Sequence, residues 1–179
     1  MDMRVFGRTE MLVGTLGLGA AEIGYENLSN HTLDVLIGVA MESGVNVIDT
    51  AAMYGDSEEK IGRAIRGRRN RFLIFTKCGR TPPQAPAIVR IGRKMLRPVT
   101  WLAACDHPDW HPSALQWNID QSLRRLGTNW IDLIQLHTCS ELTLRRGRVI
   151  ETLLRAREAG KVRYIGFTGD GPAALYAIQ

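Results

Sequence analysis

The sequence sets four side chains of complementary chemistry at or just past the ends of three apolar runs. Asp49 closes a run containing Val45, Val47 and Ile48, and Tyr54 follows after a loop of small residues. Lys77 closes residues 72–76, and His137 closes residues 131–136. Short apolar runs rich in β-branched residues read as buried parallel strands. The carboxyl ends of such strands lie together, at the end where barrels and open α/β sheets bind their ligands. A carboxylate, a phenol, an ammonium and an imidazole are therefore expected at one edge of one sheet. That set suits proton transfer. A phenol ordinarily titrates at about 10, too high for efficient donation at neutral pH. An ammonium about 4 Å away, at an effective dielectric of about 20, contributes on the order of 4 kcal/mol toward the phenolate, or up to roughly three pKa units before screening. Singly, each residue also fits a plain structural role: a capping Asp, a rim Tyr, an exposed Lys, a satisfied core His. Their shared placement is what suggests a site.

The elements that must position them follow in order. Residues 3–13 alternate apolar and polar around Gly7-Arg8-Thr9 and predict a short hairpin. Residues 16–21 read as the first strand of the sheet and its exit loop. Gly17-x-Gly19 is not a dinucleotide fingerprint, because the third glycine position is Glu22 and no acidic residue follows at the usual distance. Ser29 or Asn30 caps a helix with an apolar stripe of Leu33, Leu36, Ile37, Ala40 and Met41, ended by Gly44. After Tyr54, Asp56-Ser57-Glu58-Glu59 resembles a capping box opening a helix that buries Ile61, Ala64 and Ile65 and stops by Gly67.

The strand to Lys77 opens onto residues 78–112, too long for a simple connector and expected to serve as a substrate loop or lid. A basic amphipathic turn is predicted over 87–96, and Trp101 and Trp110 could form an apolar wall. Ser113 is expected to cap a helix presenting Leu115, Ile119, Ser122, Leu123 and Leu126, closed by Gly127. A helix with Val149, Ile150, Leu153 and Leu154 follows the His137 strand and ends at Gly160. Residues 162–167 form the fifth strand, and 171–179 a final helix. Strands alternating with helices predict a barrel or an open parallel sheet with right-handed crossovers.

A chain of 179 residues suits a single domain, 1–179, whereas a (β/α)8 barrel takes about 250. No segment nears the roughly 18 apolar residues of a membrane span, and Met1-Asp2-Met3-Arg4 lacks a signal core, so a cytoplasmic protein without a membrane partner is expected. Cys78, Cys105 and Cys139 form no CxxC pair, which predicts reduced thiols and no metal site. Cys78, beside Lys77, points to the opposite face of its strand and is read as packing. The net charge of +5 resides mostly in two clusters. Arg63, Arg66, Arg68, Arg69 and Arg71 read as a solvated helix terminus. Arg80, Arg90, Arg93, Lys94 and Arg97 lie in the long loop, where they could meet an anionic ligand. Without interleaved aromatics or a recognition motif, nucleic acid is not an expected partner.

Several motifs stand together: Asp49-Thr50-Ala51-x-x-Tyr54-Gly55-x-Ser57-Glu58; Thr76-Lys77; Ser122-Leu123-x-x-Leu126-Gly127-Thr128 with Ile131-Asp132-Leu133 and His137; and Gly160-Lys161 with Ile165-Gly166. In this order they resemble the aldo-keto reductases over nearly the whole chain. The resemblance implies an incomplete (β/α)8 TIM-barrel type of α/β fold, with about five β/α units and an N-terminal hairpin plugging its base. It also implies NAD(P)H-dependent reduction of aldehydes or ketones to alcohols. Tyr54 would give the proton, Lys77 would ease its release, Asp49 would hold Lys77 charged, and His137 would hydrogen-bond the substrate oxygen. Cofactor contacts, to NADP(H) in preference to NAD(H), would come from Gly19, Ala20, Asp49, Thr168 and Gly169.

The sequence departs from the family at Thr168-Gly169, where the family commonly has Ser-Asn holding the nicotinamide carboxamide; Gly169 has no side chain to do so. Family strands six to eight, with their nicotinamide-stacking aromatic and phosphate-binding residues, have no counterpart here, so an amino-terminal, truncated portion is expected. The rival reading is an inactive or non-enzymatic binding subunit that keeps the partial barrel. An open apolar sheet edge would also allow two chains to pair as a homo-oligomer.

Overall fold

The computed structural model describes residues 1–81 and 107–179. The basic turn expected at 87–96, Trp101, Cys105 and the cations Arg90, Arg93, Lys94 and Arg97 lie outside them. The chain opens with an antiparallel hairpin of β1 (Met3–Val5) and β2 (Leu12–Gly14), Met3 opposite Gly14. Five parallel strands follow: β3 (Gly17–Gly19), β4 (Val47–Asp49), β5 (Leu73–Cys78), β8 (Ile131–His137) and β9 (Val162–Thr168). They pair in the order β3-β4-β5-β8-β9. Between β5 and β8, β6 (Arg80–Thr81) pairs antiparallel with β7 (His107–Pro108). The helices are α1 (Ala21–Tyr25), α2 (Asn30–Glu42), α3 (Ser57–Ala64), α4 (Pro112–Leu126), α5 (Glu141–Arg145), α6 (Arg148–Glu158) and α7 (Gly171–Ala177). The five β/α units and leading hairpin agree with the expected partial barrel, which among the described strands is open.

Strand alternation divides the sheet into two faces. Ile48, Ile74, Ile134 and Leu136 point to the helices and join Leu33, Ile37, Ile61, Ile65, Leu115 and Leu153 in the main core. On the other face Phe75 and Leu133 pack with Met11, flanked by Val13, Val47, Leu73 and Tyr164. The hairpin thus covers the base of the inner face, and the Tyr164 hydroxyl accepts a hydrogen bond from the Glu10 amide at 3.0 Å. Two residues further along the same face, Phe75 gives way to Lys77 and Leu133 to Gln135, then His137. The inner face is apolar at its base and polar at its mouth.

Several local expectations are corrected. Ser29 does cap α2, accepting from the Thr32 amide at 3.0 Å, but Leu36 is exposed, leaving Leu33, Ile37 and Ala40 as the buried stripe. The capping box at α3 does not form: Asp56 makes no side-chain cap and instead pairs with Lys60. Glu58 is buried, accepting from Thr76 Oγ1 at 2.6 Å and from Arg125 Nε at 2.7 Å. Two residues before the expected Ser113, the His111 ring caps α4, with Pro112 at its first position. Ile150 is exposed, and Val149, Leu153 and Ala156 anchor α6. The short helix α5 carries no sequence pattern strong enough to predict it.

The first arginine cluster is likewise only partly a solvated terminus. Arg63 pairs with Asp34 at 3.1 Å. Arg69 reaches the buried Asp132 at 2.7 Å and stacks 4.6 Å from the Trp130 ring. Asp132 also receives Arg163 at 3.0 Å and the Ile74 amide at 2.9 Å, so it ties β5, β8 and β9 together. No described helix is long and apolar enough to cross a membrane, and no described cluster of His, Cys, Asp and Glu could hold a metal ion.

Candidate active site

The inner-face register brings the predicted residues to one mouth. Lys77, 5% exposed, donates from Nζ to Asp49 Oδ1 and, at 2.9 Å, to the Thr50 carbonyl. Its Nζ lies 5.0 Å from the centroid of the Tyr54 ring. The Tyr54 ring meets the His137 ring edge-on, with centroids 5.9 Å apart and planes at 87°. Asp49, Lys77, Tyr54 and His137 therefore form a chain of contacts in that order, with a half-exposed Asp49 at the mouth and an almost fully buried ammonium behind it. The N–H groups of an amine so deeply buried need acceptors, and Asp49 and the Thr50 carbonyl supply them.

Local backbone explains how Tyr54 is delivered. A Cβ on Gly24 would lie 1.7 Å from the Tyr54 carbonyl oxygen, and one on Gly55 would lie 2.4 Å from the Gly24 oxygen. Only glycines allow this approach, and Gly55 also takes a left-handed φ of 55°. Tyr25, which the sequence gave no reason to select, sits edge-on to Tyr54 at 6.3 Å and donates to the Met53 carbonyl at 3.3 Å. At the opposite rim Thr138 holds a left-handed φ of 57°; its Oγ1 donates to the His137 carbonyl at 2.7 Å and receives Arg80. A β-branched residue carries no signal for that conformation, so sequence reasoning could not have found it.

The predicted cofactor residues fall on the two sides of this cluster. Gly19 pairs in register with Asp49, and a Cβ there would meet nothing within 4 Å among the described residues. Ala20 is buried, with its amide donating to the Asp49 carbonyl at 2.9 Å and its carbonyl accepting from Ser57 at 2.6 Å. Thr168 pairs in register with His137 and is half-buried. Gly169 stays small because a Cβ would strike the Phe167 ring at 2.6 Å. A bare backbone at Gly19, a carboxylate at Asp49 and a hydroxyl at Thr168 fit the nicotinamide end of a dinucleotide.

Cys78 is fully buried behind Lys77, and burial first, then the neighbouring Cys139, pushes its thiol up to about 12. Burial likewise raises the Cys139 thiol to about 11. Both remain neutral thiols at physiological pH, as the packing reading of Cys78 requires.

Five parallel strands with flanking helices define an α/β scaffold of barrel type. The sequence matches the Aldo/keto reductase family over residues 15–178, and the chain belongs to that family. It is similar to the uncharacterized oxidoreductase YqkF of Bacillus subtilis, 30% identical over 179 residues covering 98% of this chain and 51% of the relative. Aldo-keto reductase AKR11C1 from Bacillus halodurans, solved in a holo form, superposes with a TM-score of 0.79 at 25% identity, over 98% of this chain and 52% of that one. An aldo/keto reductase from Klebsiella pneumoniae, solved with NADP and acetate, gives a TM-score of 0.68 at 26% identity, over 93% and 49%. The chain spans about half the length of the curated relatives it matches.

Proposed function

We propose that this chain takes part in NAD(P)H-dependent reduction of an aldehyde or ketone to an alcohol, with Tyr54, Lys77, Asp49 and His137 as the catalytic residues. The observation that carries the reading is the buried Lys77 ammonium, held by Asp49 and Thr50 and set 5.0 Å from the Tyr54 ring. A nicotinamide dinucleotide supplies the hydride, which no side chain can provide. NADP, the form bound in the Klebsiella relative, is the first candidate, with NAD the alternative. Gly19, Asp49 and Thr168 would hold its nicotinamide end.

Tyr54 gives its proton to the substrate oxygen as negative charge develops there. Lys77 stabilises the charge left on the phenol oxygen, and the low exposure of the ammonium strengthens that effect. Asp49 keeps Lys77 charged and oriented, and His137 hydrogen-bonds the carbonyl oxygen and orients it for attack. The free thiols of Cys78 and Cys139 support a reducing, cytoplasmic setting.

Removing the Tyr54 hydroxyl tests the assignment. Tyr54→Phe is expected to lower kcat for a carbonyl substrate by at least about 100-fold, in line with loss of a general acid, while quenching of protein fluorescence by NADPH is retained. Undiminished turnover refutes the role of Tyr54. Absence of saturable NADPH binding at millimolar levels favours a non-enzymatic binding subunit instead.

A further inference from the structure

Thr50 and Ser57 belong to the motif that surrounds Tyr54, yet the proposed chemistry gives their side chains no task. Both are completely buried. Thr50 Oγ1 donates to Ser57 Oγ at 2.9 Å, and Ser57 Oγ donates to the Ala20 carbonyl at 2.6 Å. The two hydroxyls therefore close the base of the loop that carries Tyr54 and fasten it to the exit of β3. Thr50 is held at its other groups too: its amide donates to the Phe75 carbonyl at 2.8 Å, and its carbonyl receives Lys77 Nζ at 2.9 Å.

One residue thus contacts both parts of the proton-donating pair, the ammonium through its carbonyl and the phenol's loop through its hydroxyl. We infer that Thr50 and Ser57 form a buried clasp that positions the Tyr54 ring against Lys77 and His137. The inference rests on the proposed reductase chemistry for its catalytic consequence, but not for its geometry. A hydroxyl pair sealed from water has no solvent to substitute for a lost partner, so removing either oxygen slackens the loop's hold on the exit of β3. The tolerance for such a shift is small, because misplacement by about 1 Å costs on the order of 100-fold in rate.

Neither residue touches the substrate in this scheme; both act through Tyr54 and Lys77 as positioning residues. Thr50→Val keeps the shape and deletes the donor, Ser57→Ala deletes the relay oxygen, and Thr50→Ser keeps the hydroxyl. In the full chain, Thr50→Val and Ser57→Ala are expected to lower kcat about 10- to 100-fold with KM changed less than about twofold, and Thr50→Ser to stay within about threefold of the unaltered chain.

A second readout needs no turnover. The nuclear Overhauser contact between the Tyr54 and His137 rings, assigned with Tyr54→Phe, is expected in the unaltered chain and in Thr50→Ser, and is lost in the two clasp variants. Variants that melt cooperatively, keep the ring contact and keep kcat overturn the clasp. If Ser57→Ala does not fold, Thr50→Val, which retains the bond from Ser57 to Ala20, decides by itself. If the unaltered chain reduces no carbonyl, the functional reading fails, and the ring contact still judges the clasp.

Discussion

Lys77 shows how much a single side chain depends on its surroundings. At 5% exposure its Nζ is held by Asp49 and the Thr50 carbonyl. Lys77→Met is expected to cut kcat by about 100-fold or more, the scale of lost acid–base assistance, with NADPH quenching kept. Lys77→Arg will not restore the rate, because a planar fork does not reproduce a point charge beneath the Tyr54 ring; steady-state kinetics on both variants checks this. Cys78 gives a prediction of different kind. Its thiol is raised by burial from an ordinary 9.0 to about 12 in the folded chain. Below pH 9 both states keep the proton and the contribution to stability is full. Above it the unfolded chain loses the proton first, so stability falls toward pH 12, by up to about 1.4 kcal/mol per pH unit for one proton. Urea unfolding at pH 9 to 11 should show a shallower decline in Cys78→Ala than in the parent chain.

Between elements, α3 and α4 cross closely at Gly62. A Cβ on Gly62 would lie 2.5 Å from the Leu126 carbonyl and 2.6 Å from that of Arg125. Gly62→Ala must push the helices apart, an overpacking cost of about 1–3 kcal/mol that exceeds the gain of up to about 1 kcal/mol for alanine over glycine inside a helix. A lowered urea midpoint with an unchanged m-value is the expected result. The same crossing turns Glu58 inward to meet Arg125, 67 residues away, whereas Asp56 pairs with Lys60 one turn on and makes no side-chain cap. Helix periodicity found α2, α3, α4 and α6, because burial of one stripe is a local signal; it misassigned Leu36 and Ile150, because where a helix meets the sheet is not.

Across the whole molecule, the N-terminal hairpin closes the inner face at its base. Met11, 2% exposed, packs on Phe75 and Leu133. Met11→Ala is expected to lower the unfolding free energy by about 2–5 kcal/mol, as for other deletions of buried side chains, measured by chemical denaturation with the Tyr54–His137 ring contact as a probe of whether the mouth moves.

Local pattern alone fixed the five strands, and strand direction alone put Asp49, Lys77 and His137 at one end, since parallel strands joined by helices share a carboxyl edge. Tyr54 followed from its distance along the chain. What the sequence left undetermined were the partners: the Thr50 carbonyl under Lys77, the backbone of Gly24 against Tyr54, the left-handed Thr138, and Asp132 gripping Arg69 and Arg163. Each joins residues distant in sequence, or holds a conformation its own side chain disfavours. Only the packed tertiary structure brings such groups within hydrogen-bonding reach and stabilises the conformations they need.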